Sequence, residues 1–373
     1  MAEVLHDAGY TNGCIGKWAF SDDHTGPGAP DKQGWDYYYG EPNQTTVHSY
    51  YLPAMYEFDR DGSVSGLPPD KEMRKIDIPE NAGGKRVVYS HDLLSEKALA
   101  FVKAAARKTR PFFLYLPYTI PHAELLVPED SLNEYKGKFP EKPYEGRGDY
   151  SANDMPNATY AAMITRMDRD IGRILSLVGN LGIAGKTLVM FSSDNGPVSA
   201  CGQDLTLFQS AGNLRGLKAS LYEGGIRVPL IARWSGAIPP GTVSNHPGAF
   251  CDFLPTAVEL AGGKTPKQCD GISIVPVLLS RPQEQKEHEF LYWETPNSQA
   301  VRMGNWKAIK SARGSKMELY DLSTDVSETT DVADKHPDVV AKIEAIMRTS
   351  HTDFPGAKKP AAKPKRARKR VGV

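Results

Sequence analysis

The chain has 373 residues, 40% of them hydrophobic, and its 45 basic and 45 acidic residues give a formal net charge of zero. This length can bury a large core, while no run approaches the roughly 18 apolar residues that a membrane-spanning helix needs, which predicts a soluble globular protein and excludes a transmembrane one. Its four cysteines lie too far apart for a zinc knuckle or a C-x-x-C redox pair, at Cys14, Cys201, Cys251 and Cys269.

The N-terminal stretch does not read as a secretory signal peptide, because Glu3, His6 and Asp7 interrupt any apolar segment there. The next residues, GYTNGCIGKW, place the cation of Lys17 between a glycine and a tryptophan. By itself, Lys17 is explained equally well as a surface lysine or as part of an anion site. The stretch alone therefore leaves its own role open.

Amphipathic helices and apolar strands alternate through the body of the chain. In chain order we predict a helix from Ser90, a strand at FFLYLP (112–117), a long helix with an apolar stripe from Tyr160 to Val178, buried strands at TLVMFSS (187–193) and VPLIARW (228–234), and a short helix at DFLPTAVELAG (252–262). Such alternation is typical of an α/β fold, with a doubly wound sheet flanked by helices.

The pattern changes near residue 286. The segments FLYWET, AVRMGNWKAIKS and MELYDLS are shorter and more alternating, and a helix is predicted at 336–349. We therefore predict one domain at 1–285 and a small subdomain at 286–352, made of an antiparallel sheet and one helix. The remaining residues, 353–373, form a basic tail that we expect to be disordered, since its last 19 residues carry eight Lys or Arg and no acid. It is either a solubilising tail or a contact for polyanions.

Polar residues follow the predicted strands at one edge of the sheet. In an open α/β sheet, ligands bind beyond the carboxyl ends of the strands. His122 follows the first predicted strand, Asp194 and Asn195 follow the second, and Lys218 precedes the third. Each has a plainer explanation: a loop histidine, an Asn-Gly turn, a surface lysine. Together the spacing indicates an anion site with a hard metal ion.

Several segments, in order, match one family. The stretches are AGYTNGCIGKW, KQGWDYYYG, PFFLYLPYTIPHAE, AAMITRMDRDIGRIL, SSDNGP, LRGLKASLYEGGIRVPLIARW, DFLPTAVELAG with DGIS, QAVRMGNWKAIK and ELYDLSTD. They run from about residue 4 to 346, and on them the chain resembles the formylglycine-dependent sulfatases, especially the bacterial arylsulfatase type of the alkaline phosphatase superfamily. The resemblance implies an alkaline phosphatase-like mixed sheet and hydrolysis of sulfate esters, either of small molecules or of sugars.

The resemblance also implies roles for individual residues. Lys17 and Lys218 match the lysines that hold the sulfate oxygens, and His122 matches the general acid that protonates the departing alcohol or phenol. Asp194 and Asn195 match two ligands of a calcium ion. Relatives are usually exported, so the expected location is periplasmic or secreted.

Two features depart from the family pattern. Family members often read GKWH, whereas Ala19 stands here in place of that histidine. The family nucleophile is a formylglycine made from the Cys or Ser of a C/S-x-P/A-x-R motif that lies upstream of the GKW segment. In this sequence no such motif precedes GKW, none of the four cysteines stands in one, and two further metal-binding aspartates expected at the end of the first strand are missing as well. We therefore expect Met1 to be an internal start, in a chain short of roughly one hundred residues of the domain.

Three hypotheses follow. The first is a sulfatase whose sequence is truncated at its N-terminus, inactive as given and with apolar sheet edges exposed. The second is a non-catalytic, sulfatase-like protein that binds anions. Upstream genomic sequence distinguishes these two: an in-frame C-x-P-x-R run supports the first hypothesis and its absence supports the second. The third is a phosphodiesterase or phosphonate hydrolase of the same superfamily. We favour it less, because SSDNGP together with LRGLK matches sulfatases better.

Overall fold

The structure, a computed structural model, describes residues 1–21, 24–148, 150–311 and 315–352. It divides into two compact units, Met1–His288 and a second that begins at Glu289. The predicted basic tail at 353–373, with its proposed polyanion contact, lies outside the described residues. Across the described ranges, no helix is both long and apolar enough to span a membrane.

The first unit contains a five-stranded mixed sheet. Its strands are β1 (Thr11–Ile15), β2 (Tyr37–Gly40), β3 (Ala54–Asp59), β4 (Arg74–Asp77) and β5 (Phe112–Tyr115). They are ordered β4-β3-β2-β1-β5, with β1 parallel to both β2 and β5 and the other pairs antiparallel. All five residues of β1 are buried, and this inner strand lies between β2 and the edge strand β5, although its sequence, TNGCI, has little β-propensity.

A second, two-stranded sheet in the first unit pairs β6 (Val189–Ser192) antiparallel with β7 (Leu230–Arg233). The prediction that both strands are buried is wrong: Phe191 is 37% exposed, Leu230 45% and Ile231 61%. The reason is that they hydrogen-bond only to each other among the described strands, so the sheet of β1–β5 does not cover them. Tyr115, on edge strand β5, is likewise 43% exposed.

Eight helices occur in the described ranges. They are α1 (Ala2–Asp7), α2 (Ser90–Ala105), α3 (Glu129–Asn133), α4 (Pro156–Asn180), α5 (Glu223–Ile226), α6 (Phe253–Leu260), α7 (Val275–Leu278) and α8 (Pro337–Ser350). The predicted helix from Ser90 is confirmed as α2, and the apolar face predicted for it is buried, at Leu94, Ala98, Phe101, Val102 and Ala105. The ring of Phe101 packs against Gly13 of β1, where a Cβ atom would lie 2.6 Å from the ring, so α2 covers the centre of the sheet.

The second unit is a four-stranded antiparallel sheet with one helix. Its strands, in the order β11-β10-β9-β8, are β8 (Leu291–Thr295), β9 (Ser298–Met303), β10 (Trp306–Lys310) and β11 (Glu318–Asp321). Helix α8 buries Val339, Ile343 and Met347 against the sheet. The spacing of these three residues is that of one helix face, which explains why the sequence pattern located this helix within one residue.

Candidate active site

Three parallel strands end at the edge of the sheet where the candidate residues meet. Strand β1 ends two residues before Lys17, β2 is followed by a loop that carries His48, and β5 is followed by the loop that carries His122. Because the three strands are parallel, their carboxyl ends lie at the same edge. The fold thus brings together side chains that are up to 105 positions apart in the sequence.

Glycine allows the backbone of these strand ends to approach closely. Gly16 has φ +136°, and a Cβ atom there would lie 2.2 Å from the carbonyl oxygen of Pro117. The backbone N–H of Lys17 donates to that same carbonyl oxygen at 3.0 Å. The backbone of Lys17 is therefore fixed against the segment that leads from β5 to His122. In the sequence, only the family resemblance indicated that Lys17 and His122 share a site.

His122 is held from two sides. Its backbone carbonyl accepts a hydrogen bond of 2.6 Å from the buried hydroxyl of Tyr50. Its ring contacts the carbonyl oxygen of Ala123 through Nδ1 and the Nζ of Lys218 through Nε2, the latter at 3.0 Å. A carbonyl can only accept and an ammonium can only donate, so these partners assign the proton of the neutral ring to Nδ1. Nε2 then carries the lone pair and faces the pocket cation.

Lys218 reaches this place through an interlock of two loops. The backbone N–H of Lys218 donates to the carbonyl oxygen of Pro197 at 2.9 Å, and that of Gly196 donates to Gly225 at 2.9 Å. A Cβ atom on Gly196 would lie 1.9 Å from the carbonyl oxygen of Gly224, so only glycine permits this contact. The loop that carries Asp194 and the loop that carries Lys218 are consequently one packed unit.

The electrostatics of the pocket favour an anion. Burial lowers the pKa of Lys17, and the charge of Lys218 lowers it further while Asp194 opposes both. Burial also lowers the pKa of His122, with contributions in the same direction from the two lysines and opposing ones from the Ala123 carbonyl and Asp194. The charges of the two lysines repel each other and Asp194 offsets this only in part, so a bound oxyanion would relieve the remaining repulsion.

His48 belongs to residues 19–80, which the sequence predicted to line the mouth of the pocket without a role in the reaction, and it contacts this group directly. Its ring stacks on that of His122 with centroids 4.1 Å apart and planes inclined by 16°, and its Nε2 lies 3.4 Å from Nζ of Lys17. Burial, then the charges of His122, Lys17 and Lys218, lower the pKa of His48 to about 4. The sequence feature that could have indicated this position is the aromatic segment YYYG, because it forms β2 and the loop after β2 leads to this edge of the sheet.

The predicted metal ligands are less complete than the anion pocket. Asp194 is exposed, and the side-chain amide of the half-buried Asn195 donates to the carbonyl oxygen of Gly196 at 2.9 Å. In the described ranges no group of three or more His, Cys, Asp or Glu side chains could hold a metal ion. Calcium prefers about six to eight oxygen ligands, so these two residues do not form a calcium site by themselves.

Three side chains would be the first candidates for a substitute nucleophile: Ser192, Ser193 and Cys14. The hydroxyl of Ser192 donates to the carbonyl oxygen of Pro229 at 2.9 Å, and that of Ser193 donates to Asn195 at 2.8 Å. Cys14 is fully buried in β1, and burial raises the pKa of its thiol. Ala19 is exposed and adds no polar side-chain atom. Nothing in these four environments activates a nucleophile.

Comparisons with known proteins identify the family of this chain. The family model described as Sulfatase matches residues 1–263, and the model described as N-sulphoglucosamine sulphohydrolase, C-terminal, matches residues 217–353. Arylsulfatase A of Homo sapiens is 29% identical over 392 residues, covering 93% of this chain and 70% of the relative. A sulfatase of Formosa agariphila is 28% identical over 386 residues, covering 90% of this chain and 66% of the relative.

Among solved structures, Ps i-CgsB in complex with k-i-k-neocarrahexaose matches with a TM-score of 0.70 and 27% sequence identity. The match covers 93% of this chain and 72% of that chain. It confirms the predicted fold class, a mixed α/β sheet with flanking helices and a small antiparallel sheet. This chain spans only part of the length of the three proteins compared.

Proposed function

The chain belongs to the sulfatase family, and from this premise we propose that its pocket binds the sulfate group of an ester whose cleavage releases an alcohol or phenol. The reaction class of the family is sulfuric ester hydrolysis, and the relatives are of the arylsulfatase type. The observation that carries the proposal is the meeting of Lys17, His122 and Lys218 at one edge of the sheet.

The two lysines would bind the sulfate oxygens. A sulfate ester carries one negative charge spread over its oxygens, and each ammonium can donate hydrogen bonds to that charge. Attack at sulfur shifts charge toward the leaving oxygen, so cations already in place stabilise the developing charge without reorganisation. The repulsion between Lys17 and Lys218 in the free pocket adds to the preference for an anion.

His122 would supply the proton to the leaving oxygen. In the free pocket burial lowers the pKa of His122, and the ammonium of Lys218 that faces its Nε2 lowers it further, so the neutral ring is favoured. A bound anion that accepts hydrogen bonds from Lys218 would remove this partner, favour the charged ring and place a proton on Nε2. The imidazolium could then donate that proton as the bond between sulfur and oxygen breaks.

The family implies a metal ion and a formylglycine. The described residues by themselves neither complete a metal site nor supply the formylglycine. We propose calcium as the metal and Asp194 and Asn195 as two of its oxygen ligands, which leaves most of a calcium coordination shell to other groups. In the family the C/S-x-P/A-x-R motif lies upstream of the GKW segment, where this sequence has none; the run SQAVR (298–302) fits its letters but lies on β9 of the second unit. We therefore assign to this chain only sulfate binding, orientation and proton transfer.

The substrate class that we propose is a sulfate ester of a sugar or a phenol. A sugar sulfate is supported by the related structure that was solved with neocarrahexaose, and a phenol sulfate by the relative named arylsulfatase A. The family models favour both over the phosphodiesterase and phosphonate hydrolase alternative. A periplasmic or secreted location remains a proposal from the resemblance.

Isothermal titration of the purified chain with inorganic sulfate tests the proposal. Lys218→Ala should weaken binding by about tenfold or more, because hydrogen bonds to charged groups contribute about 1.5–3 kcal/mol. Lys75→Ala is the matched control, since Lys75 is an exposed lysine on β4. Sulfate binding that is undetectable in the unaltered chain, or equal in Lys218→Ala, would contradict the proposed anion site.

A further inference from the structure

His48 lies in the pocket without belonging to the residues that the proposed reaction uses. It ends a short 3-10 turn, Thr46–His48, on the loop that follows β2. Buried residues flank it, Val47 on one side and Tyr50 two positions later. The loop is thus anchored on the core at both ends of the turn, while the ring of His48 is half-buried at the pocket.

The His48 loop is joined to the His122 loop by two backbone-directed contacts. The N–H of Glu124 donates to the carbonyl oxygen of His48 at 3.3 Å, and the hydroxyl of Tyr50 donates to the carbonyl oxygen of His122 at 2.6 Å. These contacts flank the place where the two imidazole rings stack at 4.1 Å. The orientation of the His122 ring is therefore determined from the face by His48 and from its edge by Ala123.

The second contact of His48 is with Lys17. Nζ of Lys17 lies 3.4 Å from Nε2 of His48. An ammonium group can donate hydrogen bonds but cannot accept them, so Lys17 is the donor and Nε2 of His48 the acceptor. Lys17 ends in a flexible four-carbon chain, which loses rotamer freedom when its amino group is held in one place. Nε2 of His48 supplies such a hold before any anion arrives, and it leaves the other ammonium hydrogens available.

We propose that His48 is a positioning residue of the anion pocket: it holds the ammonium of Lys17 and the ring of His122 in the arrangement that receives a sulfate group. This inference rests on the proposed function of the pocket. It assigns to His48 no contact with the reacting atoms. The two contacts use different properties of the side chain, a ring face for His122 and an acceptor nitrogen for Lys17.

Three substitutions separate these properties. His48→Ala removes both, His48→Phe keeps a ring face without the acceptor, and His48→Gln keeps an acceptor without the ring. His24→Ala is the matched control, because His24 also stacks on an aromatic ring, Tyr56 at 4.5 Å, on an exposed part of the chain. Thermal unfolding of each variant identifies any that fail to fold.

Two measurements are made on each folded variant: titration with inorganic sulfate, and nitrogen NMR of the His122 ring and the Lys17 amino group in the sulfate-free protein. His48→Ala should weaken sulfate binding by about two- to tenfold, the effect of losing one hydrogen bond, and shift both NMR signals. His48→Phe should restore the His122 signal alone and His48→Gln the Lys17 signal alone, each with part of the affinity. A general structural role would instead move both signals together in all three variants.

The possible failures are distinguishable. Lack of sulfate binding by the unaltered chain would overturn the proposed function, whatever His48 does. Sulfate binding by His48→Ala at the affinity of the unaltered chain, or NMR signals of Lys17 and His122 that do not change in that variant, would overturn the positioning role alone. Equal weakening by His24→Ala would overturn it as well, since that residue contacts neither Lys17 nor His122 in the described structure.

Discussion

The candidate site has an anion-binding side and a metal-binding side, and the described residues complete the first more fully than the second. On the anion side, Lys17, His48, His122 and Lys218 form a connected set, with nitrogen atoms 3.0–3.4 Å apart and two stacked rings. On the metal side, Asp194 is exposed, and Asn195 supplies the only other predicted oxygen ligand.

The difference follows from how each side is assembled. The anion side rests on the ends of three parallel strands and on interlocked loops, all of which lie in the described ranges. A calcium shell needs oxygens from more positions than one loop offers. Sulfate binding and metal binding should therefore be separable in this chain, and the following predictions test that separation.

The largest expected effect is the absence of turnover. Because no C/S-x-P/A-x-R motif precedes the GKW segment in this sequence, we expect no hydrolysis of nitrocatechol sulfate by residues 1–373, assayed beside an active relative with and without calcium. Calcium-dependent turnover by a well-folded sample would show that the chain holds a nucleophile that this interpretation missed. Ser192, Ser193 and Cys14 would then be the first residues to replace.

The second prediction concerns the strength of the anion side during catalysis. In a fusion that supplies the nucleophile segment of a related sulfatase, Lys218→Ala should lower the rate by roughly a hundredfold, as loss of a preorganised contact to developing charge does. The rate is compared with that of Lys75→Ala in the same fusion. Full activity of Lys218→Ala would remove this lysine from the catalytic group.

The third prediction distinguishes proton transfer from binding. In the same fusion, His122→Ala should slow the hydrolysis of sugar sulfates at least tenfold more than that of activated phenol sulfates, because a poor leaving group depends on general acid catalysis. The ratio of kcat/KM values for the two substrates measures this. Equal losses on both substrates would leave His122 a binding role only.

The fourth prediction uses the pH dependence of stability. The pKa of His48 is lowered to about 4 in the folded chain, so the unfolded chain takes up this proton at higher pH. The corresponding stability is present above about pH 6.5, the ordinary pKa of histidine, and is lost as the pH falls toward 4. Since the ring is partly exposed, we expect His48→Phe to reduce the fall in Tm over this window by only about 2 °C. An unchanged slope, measured by calorimetry, would contradict the lowered pKa.

The smallest expected effect is that of calcium. With two protein ligands, calcium at millimolar concentration should raise the Tm of this chain by less than about 1 °C, because weak binding contributes little linkage free energy. Asp194→Ala should abolish even that increase. A shift of several degrees that depends on Asp194 would mean that further oxygen ligands close around the ion, and the contrast between the two sides would disappear.

Much of the fold was predictable where a pattern follows one face. The buried residues of α2 and the strands and helix of the second unit were located from their spacing. Strand β1 was not predicted, because Asn12 and Gly13 lower its β-propensity and its burial comes from α2 and its neighbouring strands. Strands β6 and β7 were predicted at the right place and wrongly as buried, since an apolar sequence does not reveal what covers it.

The candidate site was predictable to the same extent. Lys17, His122 and Lys218 were selected from the sequence, and the structure brings them together, while their roles in catalysis stay predictions. The sequence predicted that residues 19–80, with His48 among them, line the mouth of the pocket. It assigned His48 no role, because β2 was not predicted and no spacing placed its ring beside that of His122. The stacked geometry of the two imidazoles depends on contacts between residues 74 positions apart, which no local spacing encodes.

The hydrogen bond from the Lys17 backbone to Pro117 has a consequence for how the pocket loosens. Binding loops commonly belong to the parts of a protein that open locally at low free energy, well before the core does. The backbone N–H of Lys17 instead donates to the carbonyl oxygen of Pro117, two residues beyond the end of β5, and Lys17 itself lies two residues beyond the end of the fully buried β1. Its exchange with solvent deuterium should be as slow as that of β1, so this cation keeps its place until the middle of the sheet itself comes apart.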